Sequence, residues 1–186
     1  MRNVTNLHDV AVEGTEMRGP AFVVNLTWEV AADLDLAAVC VPKDGGKPQL
    51  IYYGSVGRRC EAPFVHLAVD HQGGGRSKLR REHLVIANGD AHQKILLYVW
   101  NHDAIAEKKE GETVAEKGAW CLGIRDRYNS GAIIEQAFGA KENMMLVGEL
   151  RGNRFTSLLK GANVDCYIAL VDALKQLGGI ELEVAA

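Results

Sequence analysis

Apolar and polar residues alternate in short runs along most of the chain, and this pattern predicts a β-rich fold. In residues 22–29, the apolar Leu26 and Trp28 flank the polar Thr27, which is the period of a strand with one buried face. Residues 94–100 are almost all apolar, which indicates a central strand buried on both faces. Similar patterns predict strands over residues 34–41, 50–53, 64–69, 83–87, 120–124, 132–138, 144–150 and 154–159.

Turn-forming residues separate the predicted strands. A cluster that contains proline and glycine at residues 42–46 is typical of a tight turn. Residues 88–90, with the sequence Asn-Gly-Asp, are a strong hairpin signal, and residues 129–131 predict a second hairpin. Residues 104–117 are rich in Glu and Lys, which favours a short surface helix or a solvated loop.

The C-terminal part of the chain has a different period. Apolar residues recur at helical spacing between Val164 and Leu174, so we expect an amphipathic helix there. Asn163 is placed to cap its start, and Gly178 with Gly179 is placed to end it. We expect the apolar side of this helix to pack on the protein's own sheet, with docking to a partner as the alternative.

Nine or ten short strands with one late helix favour a mainly β fold, namely an antiparallel β-sandwich or jelly roll with a C-terminal α-helix. Alternating helix–strand units are absent from the pattern, which disfavours a parallel Rossmann-type sheet. A chain of 186 residues favours a single domain. We therefore expect one domain over residues 1–186, with a core at about 20–160 and the helix at about 163–178.

Composition narrows the classes of function. The net charge of −3 lacks the basic excess of a nucleic-acid-binding domain, so we expect no nucleic-acid partner. No apolar run approaches the roughly 18 residues of a membrane-spanning helix, and the first residues lack the apolar core of a signal peptide. The four cysteines form no Cys-x-x-Cys pair, which argues against a zinc ribbon or a redox motif. Because no export signal is recognised, we expect reduced thiols in a cytoplasmic protein.

Asp33 and Asp35 lie two residues apart in a predicted strand, where they alternate with Leu34 and Leu36. Side chains two apart in a strand share a face, so the leucines can face the core while both carboxylates face outward. Adjacent carboxylates repel each other unless a cation neutralises them, and calcium suits this role because it takes several oxygen ligands. The alternative is a solvated face, where water and salt screen the repulsion.

A Gly-rich segment begins at Asp70 and ends at Glu82. An acid at each end, with glycines that let backbone carbonyls turn inward, follows the logic of calcium loops. Four basic residues lie between Arg76 and Arg81, and they must point away from any bound cation because like charges repel. The glycines with Arg76 could instead form an anion-binding nest, and a hairpin loop without a ligand is the third alternative.

Taken in order along the chain, these motifs resemble the tellurium-resistance (TerD-type) family of stress-response proteins, over roughly residues 20–160. The matching residues are Leu26-Thr27-Trp28, Asp33-Leu34-Asp35-Leu36-Ala37, Asp70 with its Gly-rich loop and Glu82, residues 94–100 followed by Asn101-His102-Asp103-Ala104, and Gly148-Glu149-Leu150-Arg151. The Asp-Leu-Asp element is the most specific of them.

The resemblance implies a β-sandwich with a calcium site whose side-chain ligands are Asp33, Asp35, Asp70 and Glu82. On this basis we expect a non-enzymatic stress-response module that binds calcium and acts through a protein partner or a second copy of itself. The loop of this chain carries glycines and arginines where the family carries aspartates. A metal-free interaction scaffold that has lost the calcium site is therefore the alternative.

Catalytic alternatives rest on histidines. His102 and Asp103 place a base beside a carboxylate, but neighbours in a strand point in opposite directions, which suits a relay poorly. His66, His71 and His83 would form a cupin-like metal site if they converged in a jelly roll, although scattered histidines are the simpler account. Neither a Gly-x-Ser-x-Gly elbow nor a Gly-x-x-x-x-Gly-Lys loop occurs, so we expect no catalysis.

Overall fold

The computed structural model describes residues 14–28, 33–69, 79–106, 120–129, 131–136 and 142–182. Within these ranges the strands are β1 (Thr15–Glu16), β2 (Phe22–Trp28), β3 (Leu34–Pro42), β4 (Gln49–Ile51), β5 (Gly57–Arg58), β6 (Val65–Val69), β7 (Arg80–Ile86), β8 (His92–Asn101), β9 (Trp120–Asp126), β10 (Gly131–Gln136), β11 (Met144–Arg151) and β12 (Arg154–Ala162). The helices are α1 (His102–Ala106) and α2 (Tyr167–Gly178). Neither helix is long and apolar enough to cross a membrane.

The strands form two six-stranded sheets. Sheet A has the order β1-β12-β11-β8-β3-β4, and sheet B has the order β10-β9-β2-β7-β6-β5. Every strand pair in both sheets is antiparallel. The predicted mainly β fold, an antiparallel sandwich with a C-terminal helix, is confirmed.

The main hydrophobic core lies between the two sheets. Along β2, Val24, Leu26 and Trp28 are buried while the residues between them are half-buried, as the alternating sequence predicts. Leu34 and Leu36 of β3 reach the same core from sheet A. The period of two in the sequence therefore correctly identifies the faces that the sheets turn toward each other.

Sheet A is buried on its other face as well, because the helices cover it. Leu96, Tyr98 and Trp100 of β8 belong to a second hydrophobic cluster with Leu170 and Leu174 of α2. Strand β8 lies between β11 and β3 in the sheet. It is thus the central strand buried on both faces that its apolar sequence predicts.

Polar groups of β8 fix the C-terminal half of α2 on the sheet. The Tyr98 hydroxyl donates to the carbonyl oxygen of Leu174 over 2.9 Å, and the Lys94 ammonium donates to that of Gly178 over 3.0 Å. Gly179 ends the helix in the left-handed conformation (φ 56°), where glycine carries no steric penalty. The predicted glycine stop is confirmed.

The start of α2 differs from the prediction, because Asn163 does not cap it. The residue at the N-cap is Cys166, and its side chain makes no capping hydrogen bond. Val164 is held in a non-helical position by Asn143, whose side-chain oxygen accepts from Val164 N (2.9 Å) and whose amide donates to Val164 O (2.6 Å). This reciprocal pair delays the helix until after residue 166.

The hairpin predicted at residues 88–90 is also wrong, because β7 and β8 belong to different sheets. The chain crosses from sheet B to sheet A through a short 3-10 turn, Gly89–Ala91. A Cβ on Gly89 would lie 2.9 Å from the Phe22 ring, so glycine is required here for close packing. The second predicted hairpin, at residues 129–131, is confirmed as the β9–β10 connection.

One end of the sandwich collects the start of β3 and β7 and the ends of β2 and β8. Trp28 at the end of β2 lies opposite Arg80 at the start of β7, and Leu34 lies opposite Asn101 at the end of β8. Helix α1 begins at this point, at His102, two residues before the region predicted as a short surface helix or loop (104–117), of which residues 107–117 lie outside the described residues. We call this end, with Asp33, Asp35, Glu82 and Asp103, the acidic end.

Candidate functional site at the acidic end

Asp33 and Asp35 lie at the very start of β3. Leu34 and Leu36 face the core between the sheets, so the predicted alternation is confirmed. Asp35 is turned to the opposite face of sheet A, where it is only 4% exposed, and Asp33 is half-buried. The solvated face that was the alternative is therefore wrong for Asp35.

Two donors neutralise the buried Asp35 carboxylate. Trp100 Nε1 donates to Asp35 Oδ2 over 2.6 Å, and His102 Nδ1 lies 3.0 Å from the same oxygen. Trp100 is the direct cross-strand neighbour of Asp35, and His102 opens α1. The hydrogen bond to Asp35 raises the pKa of His102 above its ordinary value, although burial acts against it, and this favours the charged imidazolium.

Asp33 is fixed by its backbone and surrounded by charges. Its carbonyl accepts from His102 N over 2.8 Å, and its N–H donates to Asp103 Oδ2 over 3.2 Å. Burial and the negative charges of Asp35 and Asp103 raise the pKa of Asp33. The positive charges of His102 and Arg80 act in the opposite direction but do not cancel the rise. The ionised Asp33 carboxylate is therefore held in an unfavourable environment.

Glu82 lies on the inner face of β7 and is 1% exposed. Its Oε2 accepts from Leu36 N over 2.5 Å, which joins sheet B to the edge of sheet A. Strand β4 pairs with β3 only from Ala38 to Cys40, so Leu36 lies beyond the reach of that neighbour. The Glu82 carboxylate thus supplies the acceptor that a longer β4 would have provided.

The predicted calcium ligands are brought together in part. Asp33 and Asp35 lie together at the start of β3, whereas Glu82 faces the core between the sheets and contacts β3 through Leu36 N. Asp70 lies outside the described residues. Within the part of the chain that the structure describes, no three His, Cys, Asp or Glu side chains form a group that could hold a metal ion. A calcium site of the predicted composition would need Asp70 in addition.

The two described histidines of the cupin-like alternative lie away from the core. His66 and His83 are half-buried on the outer face of sheet B, since their sequence neighbours face inward. His66 Nδ1 lies 3.1 Å from Val56 O, and His83 Nδ1 lies 2.6 Å from Asn25 Oδ1. His71 lies outside the described residues. Each described histidine is thus paired with its own surface neighbour.

Trp100, His102 and Asp103 belong to the acidic end but not to the predicted ligand set. His102 hydrogen-bonds to Asp35 rather than to its sequence neighbour Asp103. The available signal was the change from an apolar run to Asn-His-Asp at residues 101–103, where a buried strand reaches the surface. The pairing itself depends on the register between β3 and β8, which the sequence does not specify.

An exposed row of aromatic rings borders the acidic end. The Tyr53 ring packs edge-on against His102 at 5.1 Å between centroids and against Tyr52 at 5.0 Å. Tyr167 of α2 donates its hydroxyl to that of Tyr52 over 2.8 Å. Tyr53 and Tyr167 are exposed, so this row provides surface for contact beside the carboxylates.

Comparisons with known proteins bear on the fold. No protein-family model and no curated protein matches the chain. Among solved structures, the chain is similar to the crystal structure of a protein of unknown function, SAV2460, with a TM-score of 0.61 and 18% identity. The match covers 88% of this chain and 99% of that chain. At this identity the similarity concerns the fold alone.

Proposed function

We propose that this domain is a non-enzymatic binding module of a stress response, like the TerD-type proteins that its motifs resemble, and that it binds calcium at the acidic end. Beside the resemblance, the proposal rests on one observation: the negative charges of Asp35 and Asp103 act on Asp33 where β3 begins. We further propose that it acts in the cytoplasm on a protein partner. Its four cysteines are free thiols, as a reducing compartment would require.

Electrostatics favour a cation at this position. The pKa of Asp33 is raised by burial and by the Asp35 and Asp103 carboxylates, so any ligand that neutralises the cluster relieves this repulsion. Calcium prefers carboxylate and carbonyl oxygens and tolerates irregular geometry. A divalent cation is therefore a better match to this cluster than an anionic or neutral ligand.

The surroundings of Asp35 are compatible with a role as a ligand. Carboxylates that bind metals are commonly held in place by further hydrogen bonds, and Trp100 with His102 provides two of them. A carboxylate offers about four lone-pair sites, so accepting two hydrogen bonds does not exhaust it. In the ligand set that the resemblance implies, Asp33 and Asp35 would hold the ion at the start of β3, with Asp70 and Glu82 as the further ligands.

If calcium took ligands from both sheets, its binding would stabilise the folded sandwich. Calcium at this position would join the start of β3 to the strand connection that follows β6. The Glu82 to Leu36 hydrogen bond already connects the two sheets there, and the ion would add to it. We therefore expect calcium to stabilise the sandwich and to set the shape of its acidic end for a partner.

A metal-free interaction scaffold is the second candidate, and the same geometry provides a reason for it. Asp35 and Glu82 both accept hydrogen bonds from protein donors, Trp100 Nε1 and Leu36 N among them. These bonds can hold the acidic end together without an ion. Under this candidate the exposed aromatic row with Tyr53 and Tyr167 would provide the contact surface.

Isothermal titration of the purified chain with calcium chloride tests the proposal. We expect Asp33→Asn to weaken calcium binding by about ten-fold or more, since it removes one charged ligand. Asp172→Asn is the matched control, because Asp172 is an exposed carboxylate on α2. Absence of measurable calcium binding by the wild type would favour the scaffold, as would equal binding by both variants.

A further inference from the structure

The outer face of sheet B is an open surface with a regular arrangement of side chains. Strand register places Asn25 of β2 between His83 of β7 and Gly123 of β9 in one cross-strand row. The adjacent row contains Thr27 between Arg81 and Cys121. None of these residues is buried. Because side chains in neighbouring rows of one face lie within about 7–8 Å of each other, these groups can contact one ligand.

Three arginines surround this surface without carboxylate partners. Arg81 and Arg125 are exposed on the same face of β7 and β9, and Arg59 follows β5. Arg81 lies two residues before His83 on the same face of β7, and burial, followed by the charges of Arg59 and Arg81, lowers the pKa of His83. No carboxylate in the described part of the chain forms an ion pair with any of the three arginines. This face also carries the exposed Glu135 of β10, which lies opposite Cys121, so its arginines outnumber this carboxylate in a chain of net charge −3.

Gly123 leaves a depression in the middle of this face. A Cβ built on Gly123 would meet no atom within 4 Å, and its backbone is not in the left-handed region. Neither a close packing contact nor an unusual φ therefore accounts for glycine at this position. Glycine inside a strand weakens the strand, and it often marks a place where a ligand approaches the backbone closely.

The floor of the depression offers hydrogen-bond donors. Asn25 Oδ1 lies 2.6 Å from His83 Nδ1, and since this oxygen can only accept, the imidazole donates. The Asn25 side chain is thereby oriented, and its NH₂ group adds two donors next to Gly123. The Thr27 hydroxyl in the adjacent row donates to Cys121 O over 3.4 Å, so it is not counted among these donors.

We propose that the outer face of sheet B binds a small phosphate-bearing anion above Gly123, held by Arg81, Arg125 and Asn25. Guanidinium groups match the geometry of phosphate oxygens and keep their charge at any physiological pH. Arg59 adds to the positive potential at the rim. This site lies on the outer face of sheet B and shares no residue with the proposed calcium site, so either one can fail without the other.

The composition of the face favours a small anion over a nucleic acid. Single-stranded nucleic acids are bound by grooves in which bases stack on aromatic rings. Over its described residues, this face carries His66 and His83 but no Phe, Tyr or Trp. The apolar Ile133, 74% exposed on β10, is the direct cross-strand neighbour of Gly123.

Inorganic pyrophosphate is the probe for a first test, with amide chemical shifts and calorimetry as readouts. We expect pyrophosphate to shift the amide signals of Asn25, His83 and Gly123, while sodium chloride at equal ionic strength does not. Arg81→Ala should weaken binding by about ten-fold or more, the value of one charged hydrogen bond. Arg58→Ala is the matched control, since Arg58 precedes Arg59 but pairs with Glu61.

Gly123→Val is the decisive variant, because it separates binding from folding. A Cβ at this position meets no atom within 4 Å, and β-branched residues favour strands, so we expect the urea midpoint to stay equal or to rise. Pyrophosphate binding should be lost. The proposal is overturned if Gly123→Val binds pyrophosphate as tightly as the wild type, or if chloride reproduces the shifts.

Discussion

The Asp35 carboxylate and the His102 imidazole form a 3.0 Å hydrogen bond that joins the start of β3 to the start of α1. Asp35 is buried, and His102 is only partly exposed. A buried carboxylate needs hydrogen bonds or a cation to remain ionised, and Trp100 provides the second bond. The pair therefore contributes to the stability of the acidic end and orients a carboxylate that we propose as a calcium ligand.

We expect the contribution of His102 to stability to depend on pH. Its pKa is raised in the folded protein by the bond to Asp35, so its stabilising effect is fully present below the ordinary value of 6.5 and is lost as pH rises through the folded value. His102→Gln should lower the free energy of unfolding by about 1–3 kcal/mol at about pH 6, and by less at about pH 9. Urea unfolding of both proteins across this range measures the difference.

The contribution of His92 to stability should depend on pH in the opposite direction to that of His102. It is 2% exposed, and burial lowers its pKa, so the unfolded chain binds this proton more readily. The wild type should therefore lose stability relative to His92→Gln as pH falls through 6.5. If the change in the free energy of unfolding varied with pH in the same way for His102→Gln and His92→Gln, these assignments would be contradicted.

Glu82 should stabilise the fold through the Leu36 backbone rather than through its charge alone. Glu82→Ala leaves Leu36 N without this acceptor, and an unsatisfied buried donor costs about 1–3 kcal/mol. Glu82→Gln keeps an oxygen at the same place, so we expect a smaller loss. The free energy of unfolding in urea and the exchange rate of the Leu36 amide are the measurements. Equal losses for both variants would argue against the edge-capping role.

Asn143 should control the attachment of α2. Its side chain makes two hydrogen bonds with the backbone of Val164, and both residues are buried. Asn143→Ala should therefore lower the free energy of unfolding by about 2–4 kcal/mol, since two buried backbone groups lose their partners. Asn143→Asp keeps the acceptor for Val164 N but places a carboxylate oxygen against Val164 O, so it should lose at least as much as Asn143→Ala. Hydrogen exchange should show faster opening of α2 amides in Asn143→Ala, and unchanged protection of α2 would contradict the assignment.

Periodicity was sufficient to predict most of the sandwich. The alternation in β2 and the continuous apolar run of β8 follow from which faces are buried. Buried positions are apolar, so burial can be inferred from the sequence. The turn at residues 88–90 is an element that the local sequence did not predict correctly. Its residues are typical of a hairpin, yet the chain crosses between sheets there because the partners of β7 and β8 are set by long-range pairing.

The candidate site was predicted only in part for a related reason. The spacing of Asp33 and Asp35 correctly places them on one face, but it contains no information on what covers that face. The burial of Asp35 depends on the β3–β8 register, which brings Trp100 alongside it. In the same way, the inward position of Glu82 follows its strand period, while its bond to Leu36 depends on the shortness of β4.

The stability of the wild-type chain with calcium and with a chelator tests the proposed function most directly. Ligands that bind only the folded state stabilise it by mass action, by roughly 2–3 kcal/mol at a hundred-fold excess over the dissociation constant. We expect the urea midpoint to rise with calcium in the wild type and to rise much less in Asp33→Asn. An unchanged wild-type midpoint between chelator and millimolar calcium would contradict the calcium-binding module and leave the metal-free scaffold.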